Sequence, residues 1–318
     1  MKRIHQTIAL SAISLGLLSA CNSSSDDTAQ FSLAVSDAPV EQANVVMVCF
    51  ESVELVGNGD QPQRFVIGES ENAVAANDLC LDDTGNPIPN TRGVDLLTLQ
   101  GAEAEALIES APVPAGSYGQ LRLDIAPNGS YVEDINGDTR PLRVPSNQLR
   151  LDGVTLAANQ AFIYTLEFDL RKALVAPPGL PHYQLKPRGL RLVDNAEIGH
   201  VEGFVSETLL LENGCNVPPE NADDPVAAVY FYSGHDLELD SLTDNSDDEN
   251  GPYASVSVKF DGAGSYPFSL GYLHAGDYFA AVTCDTDDDP EEETDLTFFY
   301  GENITIDVNS TLEITLGE

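Results

Sequence analysis

Apolar and polar residues alternate along many short segments of this chain, and this period of two most constrains its fold. In Gln120–Ile125 every second residue is apolar, and Ile304–Val308 and Leu312–Leu316 follow the same pattern. Such alternation is typical of strands with one buried face, and the recurring Gly, Pro, Asn and Asp between segments mark tight turns. The pattern predicts an all-β fold of antiparallel β-sandwiches. The exception is Ala102–Glu109, whose Ala and Glu content predicts one short helix.

The charge of the chain is divided unevenly along its length. Of 52 acidic and 14 basic residues, 29 acidic residues and one basic residue, Lys259, lie beyond residue 191. A chain of 318 residues has room for two domains, so we expect two β-sandwiches, over residues 31–194 and 195–318. The net charge of −38 repels a phosphate backbone, which excludes nucleic acid as a partner.

The first 21 residues are organised like a cleaved lipoprotein signal peptide. Two basic residues precede the apolar stretch Ile8–Leu18, which is too short to span a bilayer. The motif Leu18-Ser-Ala-Cys21 resembles the bacterial lipobox, which implies that Cys21 carries a lipid after cleavage. Residues 22–30 are polar and predict a flexible tether. Because Asn22 follows the cysteine, we expect the lipid to anchor the protein in the outer membrane; an ordinary signal peptide is the alternative.

Four cysteines remain in the mature chain: Cys49, Cys80, Cys215 and Cys284. An even number in an oxidising compartment predicts disulfides. Three pairings exist in principle, and sequence order with the domain division favours Cys49–Cys80 and Cys215–Cys284. A metal site is the alternative, but the spacings are not those of zinc ligands.

Several segments of the first domain form an ordered set: Leu33–Pro39, Val94–Gly101, Val113–Leu123, Val144–Ser146, Phe168–Leu170 and Leu185–Leu192. In this order they resemble the bacterial envelope domain of unknown function 4382, over about residues 31–194. The resemblance implies a secreted or lipid-anchored β-rich domain and implies no reaction. The segment after Val144–Ser146 is shorter than in that family, and Gly57–Arg92 looks like an insertion that the first cysteine pair clasps.

The second domain resembles a different module. Gly199–Val205, Ala228–Tyr232 and Ser265–Tyr278 are similar to the carboxypeptidase-regulatory-like or transthyretin-like sandwich, which implies a non-catalytic accessory role. A Gly-turn followed by Tyr occurs in Val113–Tyr118 and again in Leu273–Tyr278. This repetition indicates either two related sandwiches or one turn used twice.

Three acidic loops have oxygen-bearing side chains at alternate positions, as calcium loops do. We expect a solvated acidic surface and no cofactor, with calcium at one or more of these loops as the alternative. The candidate ligands are Asp244, Ser246, Asp248 and Asn250 in the first choice, Asp285, Asp287 and Asp289 in the second, and Asp134, Asn136 and Asp138 in the third. None completes the EF-hand pattern.

Basic residues of the first domain lie on or beside predicted strands. We expect them to pair with Asp and Glu on neighbouring strands; contact with an anionic ligand or with the acidic loops of the second domain is the alternative. The candidates are Arg122, Arg143, Arg150, Lys186, Arg188 and Arg191.

Motifs of hydrolytic enzymes are missing from the sequence. It has neither Gly-x-Ser-x-Gly nor His-Glu-x-x-His, which nucleophile elbows and zinc proteases need, so we do not expect an enzyme. The leading expectation is a lipid-anchored, non-catalytic binding or adhesion-type accessory module whose partner is an envelope protein or a glycan. The alternatives are a calcium-stabilised structural lipoprotein and a carbohydrate-active enzyme or its accessory.

Overall fold

The chain is built almost entirely of strands. The structure, a computed structural model, describes residues 27–38, 43–57, 62–222, 224–244, 251–286 and 296–318. These residues form twenty strands in four sheets, with two short α-helices, which confirms the all-β class. Within these ranges, no helix has the length and apolar character to cross a membrane.

Strands β1 to β13 form two sheets that face each other. They are β1 (Thr28–Ala38), β2 (Ala43–Val56), β3 (Gln63–Val66), β4 (Arg92–Asp95), β5 (Glu105–Pro114), β6 (Gly116–Ile125), β7 (Tyr131–Asp134), β8 (Thr139–Arg143), β9 (Gln148–Leu156), β10 (Ala161–Asp169), β11 (Leu174–Val175), β12 (Tyr183–Leu185) and β13 (Leu190–Asp194). Sheet A has the order β13-β10-β1-β5. Sheet B has the order β11-β12-β8-β7-β2-β6-β9, and β3 and β4 also pair with its long strand β2.

Strands β14 to β20 form the second pair of sheets. They are β14 (Ile198–Val205), β15 (Pro225–Ser233), β16 (Ala254–Lys259), β17 (Pro267–His274), β18 (Gly276–Thr283), β19 (Phe298–Ile306) and β20 (Thr311–Leu316). Sheet C has the order β17-β14-β20, and sheet D has the order β16-β15-β18-β19. The helices are α1 (Leu170–Ala173) and α2 (Glu207–Glu212), and the 3-10 turns are Leu96–Thr98, Pro145–Asn147, Pro187–Gly189, Asn195–Glu197 and Leu239–Ser241.

Each pair of sheets encloses its own apolar core. The alternating residues Phe31, Leu33 and Val35 of β1 are buried in the first core, and Val201 and Val205 of β14 are buried in the second. Most strand pairs are antiparallel, but β1–β10, β8–β12 and β14–β20 are parallel. Burial of these apolar faces is the main favourable term in the stability of such sandwiches.

The helix predicted over Ala102–Glu109 is wrong. Strand β5 begins at Glu105 and pairs with β1. Opposite Phe31 to Leu33, its register shifts, and Ser110 has a positive φ of 47°, which is the geometry of a β-bulge. A second register shift, between Leu33 and Ala34, skips Leu107. Leu107 and Ile108 are therefore neighbours that are both buried, and the period of two is lost within the segment predicted to be a helix.

Both predicted cysteine pairs are joined, Cys49 with Cys80 and Cys215 with Cys284. The first disulfide ties the segment Gly57–Arg92 to the central strand β2. The same segment supplies β3, which also pairs with β2. The segment that looks like an insertion is therefore part of sheet B and its border, and does not project freely.

The two similar segments Val113–Tyr118 and Leu273–Tyr278 form the same corner. The hydroxyl of Tyr118 donates to the carbonyl of Pro114 at 2.8 Å, and that of Tyr278 donates to the carbonyl of His274 at 2.9 Å. Each ring is buried in the core of its own sandwich. Each sandwich therefore has one such tyrosine hydrogen bond, at the β5–β6 connection in the first and at the β17–β18 connection in the second.

The sandwiches meet where the loop before β5 contacts β17. A Cβ placed on Gly271 would lie 1.9 Å from the carbonyl oxygen of Gly101, so the two backbones touch. Next to this contact, a bulge gives Tyr272 a positive φ of 56°. Its hydroxyl donates to the carbonyl of Ala102 at 3.1 Å, which binds the second sandwich to the first.

Gly271→Ala should weaken this junction, because the new methyl group overlaps a backbone carbonyl. We expect the free energy of unfolding to fall by about 1–3 kcal/mol, seen by calorimetry as a lower Tm or as two separated transitions. Gly119→Ala in β6 is the matched control, since the nearest atom to its Cβ position, the carbonyl oxygen of Val56, is 4.0 Å away. Equal effects of the two substitutions would contradict the close contact.

Candidate binding groove

A groove of about 720 Å³ runs along the outer face of sheet C, beside the edge of sheet D. Burial alternates along β14, so its odd-numbered residues from Val201 to Val205 face the core. Glu202 and Phe204 therefore face outwards into the groove. Gln100 of the first sandwich also lines it, so the groove is built by both parts of the chain.

The groove floor has an acidic row and an apolar row. In the acidic row, Glu202 pairs in register with Ser269 of β17 and Glu313 of β20. In the apolar row, Phe204 pairs with Pro267 and Thr315. The ring of Phe204 is 47% exposed. An exposed aromatic ring beside polar groups in a preformed depression of this size is typical of ligand sites.

The charges in the groove are not paired within the protein. In the ranges that the structure describes, neither Glu202 nor Glu313 forms an ion pair, and neither does Lys259, which lines the opposite wall on β16. Like charges directly opposite on neighbouring strands are destabilising. Burial lowers the pKa of the adjacent His200, although Glu202 opposes this shift, so His200 does not supply a compensating charge at neutral pH.

Two arginines of the first sandwich lie against tyrosines of the second. Arg191 on β13 forms an ion pair with Glu167 of β10, and its guanidinium lies 4.4 Å from the centre of the Tyr253 ring. Arg171 of α1 donates to the hydroxyl of Tyr230 at 2.8 Å. Cation–π contacts of this kind strengthen as water is excluded. Together they cover the outer face of sheet A with the second sandwich.

Two carboxyl groups at this end of sheet A are buried. Desolvation raises the pKa of Glu167 to about 7, against the lowering effect of Arg191. Desolvation also raises the pKa of Asp37 well above its usual range, and the charges of Asp169, Glu167 and Asp95 add to the shift. Neither carboxylate oxygen of Asp37 has a hydrogen-bond partner. Both groups therefore favour the neutral form more than exposed carboxyls do.

The predicted basic residues lie at separate places. Arg122 interacts with Glu54 at 3.4 Å on the neighbouring strand, which is ordinary cross-strand pairing, and Arg150 donates to Gln148. In the described part of the chain, Arg191 contacts the second sandwich through Tyr253. Arg143 is exposed on β8 and Lys186 precedes a 3-10 turn, while the side chain of Arg188 is outside the described structure. A role of these residues in contacting an anion stays a prediction.

Of the predicted calcium loops, the third is fully described. The Oδ1 atom of Asp134 accepts the backbone N–H of Asn136 at 2.9 Å and that of Asp138 at 3.0 Å. The same turn recurs at Asp82 and Asp261, whose Oδ1 atoms also accept N–H groups two and four residues later. The side-chain hydrogen bond from Thr84, followed by the backbone N–H groups, lowers the pKa of Asp82, and the backbone N–H groups of Ser265 and Ala263 lower the pKa of Asp261. The alternation of acidic and small polar residues here reflects Asx turns.

The other two loops are described only in part. Asp244 is buried, and Asp285 accepts the backbone N–H of Thr297 at 3.1 Å. The remaining candidates, like Cys21, lie outside the described residues: Ser246, Asp248, Asn250, Asp287 and Asp289. Within the described ranges, no group of three or more His, Cys, Asp or Glu residues is placed to hold a metal ion. Calcium binding stays a prediction.

A family model identifies the first sandwich. It matches residues 28–187, and its description is a domain of unknown function, DUF4382. The chain belongs to this family. The DUF4382 match ends before β13 (Leu190–Asp194), yet β13 completes sheet A by pairing with β10. Arg191, which contacts the second sandwich, thus lies just beyond the matched part of the DUF4382 domain.

Comparison with solved structures gives distant matches. A candidate cell adhesion protein from Bacteroides ovatus is 9% identical, over 53% of this chain and 43% of its own, with a TM-score of 0.19. A minor pilin from Streptococcus agalactiae is 10% identical over 90% of this chain and 94% of its own, with a TM-score of 0.17. A candidate cell adhesion protein from Parabacteroides distasonis is 12% identical over 88% and 84%, with a TM-score of 0.19.

This DUF4382 chain thus spans less than half the length of the first of these three proteins. TM-scores this low establish neither a shared fold nor a shared function. Among curated proteins, no sequence matches the chain.

Sequence reasoning did not single out the residues of the groove. The sequence predicted only that Glu202 and Phe204 lie on one strand. In the run Val201-Glu-Gly-Phe-Val205, a strand with a period of two places Phe204 on the same face as Glu202. This shared face was the only trace of the groove in the sequence. A single aromatic residue on the polar face of a predicted strand is common, so the sequence alone did not distinguish Phe204 from other exposed apolar residues.

Asp37→Asn should reduce the loss of stability at high pH. A carboxyl whose pKa is raised by folding destabilises the protein progressively as pH rises from the unfolded pKa, about 3.9, through the folded value. We therefore expect the advantage of Asp37→Asn over the native chain to grow by about 1–3 kcal/mol between pH 4 and pH 8, measured by urea unfolding. The exposed Asp78 provides the matched control, Asp78→Asn. A pH-independent difference for Asp37→Asn would contradict the buried, unpartnered carboxyl.

Proposed function

We propose that this chain is a lipid-anchored protein of the bacterial outer membrane that acts as a non-catalytic binding module of the adhesion type. The observation that carries the proposal is the groove on sheet C, with the exposed Phe204 ring between polar side chains. Its volume of about 720 Å³ is in the range of ligand pockets. Its walls belong to two folded sandwiches, each with its own disulfide. Binding therefore requires little ordering of the chain.

The lipobox motif ending at Cys21 supports the anchoring part of the proposal. Strand β1 begins at Thr28, which lies inside the segment 22–30 that the sequence predicts to be a tether. Six residues then separate the lipid-bearing cysteine from the first strand, a reach of at most about 20 Å. The first sandwich would therefore stay close to the membrane surface, and the second, acidic sandwich would contact the partner.

Phe204→Ala should remove most binding at the groove. Truncating an aromatic residue at the centre of an interface commonly weakens binding by about tenfold or more. The test applies soluble residues 22–318 to a glycan array and to solubilised envelope fractions of the source bacterium. Leu211→Ala is the control, because Leu211 is also an exposed apolar residue of the second sandwich but lies on α2. Equal binding by Phe204→Ala and the native protein would overturn the groove as the site.

Cys21→Ser should release the protein from the membrane. Without the thiol there is no acceptor for the lipid. We expect loss of labelling by a palmitate analogue and transfer of the protein from the membrane fraction to the soluble fraction. Retained labelling would contradict the anchoring part of the proposal.

A further inference from the structure

The charge of the groove points to a ligand that carries positive charge. Glu202 and Glu313 lie side by side on parallel strands β14 and β20, and neither forms an ion pair in the described structure. Two unpaired like charges in register cost stability, and a cation between them would remove this cost. The chain beyond residue 191, with 29 acidic residues and one basic residue, would also attract cationic partners over a longer range.

The Phe204 ring indicates which apolar group of the ligand lies beside its positive charge. Residues two apart on a strand are about 7 Å apart, so the ring lies one step along the groove from the carboxylate of Glu202. A long basic side chain can place its charged end at the carboxylates and its aliphatic stem, or an adjacent apolar side chain, on the ring. The groove therefore suits a basic residue beside an apolar residue.

The opposite wall limits the number of basic residues. Lys259 lines the groove from β16 and would repel a second cation close to the first. The ammonium group of Lys259 can instead donate a hydrogen bond to a backbone carbonyl of a bound segment. The side-chain amide of Gln100 can do the same. This arrangement selects one basic residue in an otherwise uncharged segment over a run of lysines or arginines.

We propose that the groove on sheet C binds an exposed segment of a partner protein, with one Arg or Lys between Glu202 and Glu313 and an apolar residue on Phe204. This inference rests on the proposed binding function and specifies its ligand. A neutral glycan is the less favoured occupant, because it would leave the paired carboxylates uncompensated. The chain also has no Trp, the largest aromatic platform for stacking.

The test is selection of a random heptapeptide phage library on the mature chain with Cys21→Ser. We expect enriched peptides that carry one Arg or Lys next to an apolar residue. The double variant Glu202→Gln, Glu313→Gln should weaken their binding by about tenfold or more, without a loss in Tm, since it removes a repulsion. The matched control is Glu212→Gln, Glu220→Gln, which makes the same change in net charge at exposed positions outside the groove.

The outcomes separate this inference from the proposed function. If peptides without a basic residue are enriched, or if both double variants weaken binding equally, the ligand class is wrong. If a glycan binds and depends on Phe204 while no basic peptide is enriched, the binding function stands and this inference falls. If Phe204→Ala changes neither peptide nor glycan binding, both are overturned.

Discussion

The contact of Arg191 with the Tyr253 ring joins the two sandwiches, and Arg191 is held there by its ion pair with Glu167 within the first sandwich. This ion pair lies on the outer face of sheet A, which would be a solvated surface in an isolated sandwich. The ring of Tyr253 covers the guanidinium of Arg191, whose side chain is 21% exposed, while that of Glu167 is 1% exposed. Burying an ion pair is favourable only when the geometry is good and the remaining polar atoms are compensated. Among the described residues, Nε and Nη1 of Arg191 have no hydrogen-bond acceptor, so the Tyr253 ring is the group of the second sandwich that compensates this side of the guanidinium.

The orientation fixed at this junction has a consequence at the groove. Gly101 and Gly271 touch backbone to backbone, and Gln100, the residue before Gly101, becomes part of the wall. The groove is therefore a product of the junction as well as of sheet C. A ligand that contacts Gln100 and Phe204 together would bind the joined sandwiches and not either one alone, which couples recognition to the integrity of the junction.

Much of the fold was predictable from local pattern. The alternation in Gln120–Ile125 gave a strand, and the order of the cysteines gave both disulfides, because these depend on neighbouring residues or on a simple count. The helix predicted over Ala102–Glu109 was wrong because register shifts on both sides of Leu107–Ile108 remove the alternation from this strand. Its strand character comes from pairing with β1, more than seventy residues earlier, and tertiary pairing of this kind overrides local helix propensity.

The groove depends on pairings that lie even farther apart. Glu202 and Glu313 are separated by more than a hundred residues, and only the parallel pairing of β14 with β20 places them side by side. The acidic loops attracted attention because their residues are adjacent in sequence, yet Asp134 uses its carboxylate to hold its own turn. A carboxylate that is satisfied by backbone N–H groups has less capacity for a ligand. In the described part of the chain the two glutamates on the strands accept no such hydrogen bond, and this difference from Asp134 depends on strand pairing that composition does not reveal.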